Sequence, residues 1–182
     1  GKRVLFFVDA AHFVFHAYPG FLWCFARVFI KAPAGRKRFN VLGALNAITL
    51  ELTTVANETY INAQSVCELL RQIADQHAGI PITLVLDNAK YQKCALVKEL
   101  AESLNIELLY LPAYSPNLNL IERLWKFVKK ECLYSEYYPT FTEFKAAICD
   151  CLNNTHTKHK KNLKSLLTLR FQTFEKAQIV AA

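Results

Sequence analysis

The sequence predicts an α/β fold: a mixed sheet in which a three-strand antiparallel meander leads into parallel strands, flanked by helices. Three observations predict it. Residues 4–8 and 82–86 are apolar runs, interrupted only by the β-branched Thr83, as strands buried on both faces are. The first sixty residues are rich in aromatic and β-branched side chains and show no helical period. From Asn62 onward apolar residues recur at helical spacing, and those stretches alternate with short strand-like runs, the pattern of parallel strands joined by right-handed crossovers.

Residues 4–8 read as the first strand and residues 21–30 as the second, with Tyr18-Pro19-Gly20 as the turn between them. After a basic turn over residues 33–38, residues 40–49 form a third apolar run, expected to pair antiparallel with the second. Residues 53–60 suit a short further strand. Val66, Leu69, Leu70 and Ile73 mark a helix capped by Asn62 or Ser65 and stopped at Gly79-Ile80-Pro81. A strand over 82–86 follows, then a helix over 93–104 with Leu96, Leu100 and Leu104 on its stripe, then a strand over 107–111.

Past a loop at 112–119, residues 120–133 read as a helix. It buries Ile121, Leu124 or Trp125, and Val128, and carries Glu122, Lys126, Lys129 and Lys130 on its other face. A helix over 141–153 buries Phe141, Phe144, Ile148 and Cys151 or Leu152. A basic connector spans 155–161, and a last amphipathic helix is expected over 163–177. No repeat, low-complexity tract or linker divides the chain, so residues 1–182 are expected to form one domain.

Composition narrows the function. A hydrophobic fraction of 53% with 13% aromatics is too rich for disorder. No apolar stretch reaches the roughly 20 residues of a membrane helix, and the first residues lack a signal peptide's exit site. A net charge of +7 favours a polyanionic partner. The six cysteines fall singly inside strand or helix patterns, as reduced thiols of a cytoplasmic protein do. Cys149, Cys151, His156 and His159 invite a zinc reading, but helical positions 149 and 151 point about 200° apart and cannot chelate together.

The chemistry lies in three carboxylates. Asp9 closes the first apolar run, Asp87 closes the run 82–86, and Glu122 follows Ser115-Pro116-Asn117-Leu118-Asn119 within a helical pattern. In open α/β sheets functional groups collect beyond the strands' carboxyl ends, where Asp9 and Asp87 are expected. A helix crossing the same edge can bring Glu122 to them. Such an all-oxygen pocket suits Mg2+, with Mn2+ able to substitute, and two ions per site would serve phosphodiester cleavage. Neither a Gly-rich phosphate cradle nor a nucleophile elbow is present.

Leu86-Asp87-Asn88-Ala89 and the block Leu111-Pro112-Ala113-Tyr114-Ser115-Pro116-Asn117-Leu118-Asn119-Leu120-Ile121-Glu122-Arg123-Leu124-Trp125 are separated as the conserved acids of one family are, with 34 residues between Asp87 and Glu122. In these phrases, and in Val8-Asp9-Ala10-Ala11-His12-Phe13, the chain resembles the mariner-like transposases of bacterial insertion sequences, members of the Tc/mariner superfamily. The resemblance implies a ribonuclease H-like DDE catalytic domain. Lys90-Tyr91-Gln92 stands where the family commonly has a His, and Asn117 and Leu120 where it commonly has Asp and Pro.

On that resemblance Asp9, Asp87 and Glu122 are expected to be the catalytic metal ligands of a transposase. The enzyme would cut transposon-end phosphodiesters with water and join the freed 3′ hydroxyl to target DNA. The implied partners are double-stranded transposon ends and target DNA, with a homodimer on paired ends and no membrane. The implied setting is the bacterial cytoplasm, at the nucleoid. No helix-turn-helix pattern precedes Asp9, so an end-reading region is expected to be absent from this chain. His12, Asn88, the helix row Lys126, Lys129 and Lys130, and Lys158, Lys160 and Lys161 are candidate DNA contacts, against plainer roles as turn residues or a solvated charged face. A rival reading is a domesticated DNA-binding or assembly protein that keeps the fold without turnover. A third is a metal phosphohydrolase of Rossmann-like topology, lacking the early meander.

Overall fold

The computed structural model describes residues 3–16, 25, 37–112 and 115–171. Its five strands and five helices run β1 (Val4–Val14), β2 (Arg38–Asn46), β3 (Leu52–Asn57), α1 (Ala63–Gln76), β4 (Ile82–Leu86), α2 (Ala95–Ser103), β5 (Ile106–Tyr110), α3 (Ile121–Cys132), α4 (Phe141–Asn153) and α5 (Lys160–Leu166). The strand order is β3-β2-β1-β4-β5. β1, β2 and β3 form the antiparallel meander, while β4 pairs parallel with both β1 and β5.

Two sequence expectations about this sheet are corrected. The first strand does not stop at residue 8: β2 lies antiparallel along it from Phe6↔Asn46 to Val14↔Arg38, so it runs through Asp9 to Val14. Residues 40–45 pair with β1 on one side and β3 on the other, so along that stretch β2 has no free edge for the partner expected at 21–30. The expected strand at 21–30 and the turn at 18–20 lie, Phe25 apart, outside the described residues.

Alternation along the strands divides the core in two. Phe7, Ala11 and Phe13 of β1, Phe39, Val41 and Leu45 of β2, and Val85 of β4 pack with α3, α4 and α5. Phe6 and Val8, Leu42 and Ala44, and Ile82, Leu84 and Leu86 pack on the opposite face with α1 and α2. The sheet is thus covered on both sides by apolar helix faces.

The helices begin where local chemistry dictates. The Asn62 side chain accepts from Ser65 N at 3.0 Å while Ser65 Oγ accepts from Asn62 N, a capping box that starts α1. Thr140 and Glu143 form the same box at α4. In α2 Val97 and Ala101 are buried; of the expected stripe, Leu100 and Leu104 pack partly buried against the same core and Leu96 is exposed. The last helix is also shorter than expected, ending at Leu166 where the pattern ran to 177; residues beyond 171 lie outside the described part. Its end and the chain beyond are tied to α3: the Arg123 guanidinium donates to Leu166 O, Thr168 O and Arg170 O at 3.3, 2.8 and 3.0 Å and lies over Phe171.

Candidate active site

Asp9 occupies an odd-numbered position of β1, between Phe7 and Ala11, and so faces α3. The parallel register Phe7↔Val85 is the last rung between β1 and β4, and continuing it by two residues sets Asp87 beside Asp9 on the same face. Parallel strands lie about 4.8 Å apart, so adjacent positions bring their carboxylates into electrostatic reach. Helix α3 crosses this face with Ile121, Leu124, Trp125 and Val128 buried, both Leu124 and Trp125 where the sequence pattern leaves a choice between them, and carries Glu122 in its first turn.

The start of α3 is fixed to β1. Asn119 is 3% exposed and donates its Nδ2 to Val8 O at 3.1 Å, one residue before Asp9. Asp87 is set by its own turn, accepting from Ala89 N at 3.1 Å. Asn88, a candidate DNA contact, donates its Nδ2 to Leu111 O and ties the ends of β4 and β5 together.

The electrostatics record how these acids meet. Burial and then the charge of Glu122, with a smaller contribution from Asp87, push the Asp9 carboxyl up from 3.8 to about 7. Hydrogen bonds from the Ala10 N–H and the Trp125 indole oppose that rise. Tyr91 is pushed up to about 12 by burial and by the charges of Asp87 and Asp9, which places its phenol at the same acidic cluster. Among the described residues no three His, Cys, Asp or Glu side chains are drawn together as a closed metal-ligand set. The three carboxylates therefore share a field without being collapsed onto one point.

His12 is not brought to this site. Its even-numbered position directs it to the other face of β1, where Nδ1 lies 2.7 Å from Asn40 Oδ1, and Asn40 in turn bonds Asn57 and Thr59. Of the lysines, Lys126, Lys130, Lys158, Lys160 and Lys161 are exposed and Lys129 is half-buried. His159 packs on Phe127 and stands 3.7 Å from Glu131, which brings the 158–161 segment beside the C-terminal half of α3. The two basic groups thus adjoin each other.

Sequence reasoning missed two residues. The sequence pattern offers Leu124 or Trp125 for the core; Trp125 is buried there, and its Nε1 also donates to Asp9 Oδ2 at 3.0 Å. Tyr91 was noted only as a departure from the family pattern. Neither carried a signal beyond its spacing from an acid.

A mixed sheet of order 3-2-1-4-5, with an acid on its central strand, a second just past the adjacent parallel strand and a third on the helix across them, is a ribonuclease H-like arrangement. Residues 4–145 match the family described as DDE superfamily endonuclease, and the chain belongs to that family. It is 29% identical over 98 residues to the "Insertion element IS630 uncharacterized 39 kDa protein" of Shigella sonnei, a stretch that is 53% of this chain and 29% of that protein. The chain thus spans under a third of the curated relative it matches. The "Mos1 transposase paired-end complex with left transposon end" superposes with a TM-score of 0.59 at 16% identity, over 92% of this chain and 56% of that one. The "Mos1 mariner paired end complex with Mn" gives 0.59 at 14% identity, over 93% and 56%. At these identities the likeness is one of fold.

Proposed function

We propose that this chain is the catalytic domain of a DNA transposase that cuts transposon-end phosphodiesters with water and then transfers the 3′ hydroxyl to target DNA. One observation carries the reading: Asp9 feels both Glu122 and Asp87 from a half-buried position on the central strand. Holding three acids in one field is costly, and their all-oxygen donor set fits a hard divalent cation such as Mg2+ or Mn2+. The Mos1 complex with manganese supports the same choice in a protein of like fold.

Asp9, Asp87 and Glu122 would hold two ions. When bound, they would stabilise charge developing at phosphorus and lower the pKa of the attacking water. The chain's own groups do the rest. Asn119 and Trp125 keep α3 against β1, so Glu122 meets Asp9 in a fixed geometry. Lys126, Lys129 and Lys130 on that same helix, and Lys158, Lys160 and Lys161 beside it, offset the acids and take the phosphates flanking the scissile bond. The partner is double-stranded DNA, transposon ends and target alike, engaged by a homodimer on paired ends in the bacterial cytoplasm. Among the described residues no helix is long and apolar enough to cross a membrane.

Supercoiled plasmid incubated with the chain and Mn2+ tests this. The wild type is expected to nick it, and Asp87→Asn to do so slower by roughly a hundredfold or more. Equal nicking by both proteins, or by neither, contradicts the proposal.

A further inference from the structure

Directly opposite Asp9 on the neighbouring strand stands Gly43, the cross-strand partner on the face that α3 covers. A methyl group at that position would lie 2.8 Å from Trp125 Cη2 and 3.0 Å from both Trp125 Cζ2 and Ile121 Cδ1. The missing side chain is therefore the space into which the indole ring lies. Phe13, two rungs along β1 from Ala11 on the same face, closes the pocket with an edge-to-face contact, ring centroids 6.4 Å apart. Held this way, Trp125 is 3% exposed and its one polar atom meets Asp9 Oδ2 at 3.0 Å. A buried indole needs only an acceptor, and many backbone carbonyls could have supplied one. Here the acceptor is a carboxylate of the acidic cluster, reached from a position one helical turn after Glu122.

We propose that Trp125, lodged over Gly43, is a positioning residue for the reaction: its indole N–H fixes the rotation of the Asp9 carboxylate so that Asp9, Asp87 and Glu122 take up a divalent cation together. This rests on the transposase reading of the same acids. The bond takes a lone pair of Oδ2 and restrains the carboxylate about its last rotatable bond, as hydrogen-bonding partners behind a metal ligand do in other sites. Because donor and Glu122 share one helix, the bond also sets how closely α3 approaches β1. Gly43 acts through the ring: any side chain there lifts the indole and loosens the hold on Asp9.

Trp125→Phe keeps the ring and removes the donor. Calorimetric titration of the full chain with Mn2+ is expected to show affinity weakened roughly tenfold in Trp125→Phe and in Gly43→Ala, the range seen when partners of metal ligands are removed. The Mn2+ concentration for half-maximal nicking should rise by the same factor. A folded Trp125→Phe protein with wild-type Mn2+ affinity overturns the inference.

A second measurement holds if either variant misfolds. With only two tryptophans in the chain, the 1H–15N spectrum has two indole signals. One of them is expected to shift in Asp9→Asn and to broaden first as Mn2+ is added to the wild type. If neither moves in Asp9→Asn, the inference fails. A wild-type chain that nicks DNA and binds Mn2+ beside an unaffected Trp125→Phe overturns this inference alone. A wild-type chain that binds no Mn2+ overturns the functional reading and this inference with it.

Discussion

Asp9 is an acid that the fold holds at a disadvantage. Its carboxyl titrates near 7 in the folded chain, against an ordinary value of 3.8, chiefly through burial and the charge of Glu122. The folded state therefore favours the protonated acid. Without metal, stability present below about pH 4 is lost progressively as pH rises through 7, by an amount on the order of a few kcal/mol. Asp9→Asn removes that dependence. Thermal melts in chelator are expected to show the Asn variant more stable than the wild type at pH 8 and indistinguishable from it near pH 4; a wild type as stable as the variant at pH 8 would contradict this. The same residue explains where sequence reading fell short. A charged side chain ends the apolar run, so local pattern closes the first strand at residue 8, whereas the chain continues as strand for six further residues beside β2. Local rules fail most readily where a residue is placed for chemistry and not for packing. Trp125 illustrates the converse: its burial was legible from spacing, its hydrogen bond was not, because no one-dimensional pattern says which carboxylate a ring will meet.

Elements with a single strong period were legible almost to the residue. β4 is a run of five residues buried on both faces, and the 3.6-residue stripe of α3 points to its buried side chains, leaving open only the choice between Leu124 and Trp125, both of which are buried. Element ends set by tertiary contacts were not. The last helix stops at Leu166 because Arg123, from α3, collects the carbonyls of residues 166, 168 and 170. Those bonds come from a residue more than forty positions earlier, beyond the reach of any local window. Arg123→Ala should cost about 1–3 kcal/mol, since three acceptors lose a charged donor. It should also raise amide exchange over residues 166–171, with α1 unaffected. Unchanged exchange in that segment would show that the guanidinium does not hold it.

Across the whole molecule, charge and topology act together. A sheet centred on β1 brings the N-terminal and C-terminal parts of the chain to one face, so acids 9, 87 and 122, scattered in sequence, share an electrostatic field. The net charge of +7 was legible at once, but its distribution needed the fold: the contact of His159 with Phe127 is what sets the 158–161 lysines beside those of α3. Replacing both Lys126 and Lys130 with Gln should weaken binding to duplex DNA and lower the slope of log affinity against log salt by about 2, one counterion per lost contact. Fluorescence anisotropy over a salt series measures that slope, and an unchanged value would place DNA on another surface. The central claim is that the oxygens of Asp9, Asp87 and Glu122 share divalent cations. An anomalous difference map from a crystal of this chain grown with Mn2+ measures it most directly. The account predicts density bounded by those three carboxylates, with Asp9 touching it; a well-ordered map with none there, or with manganese bound only elsewhere, would contradict it.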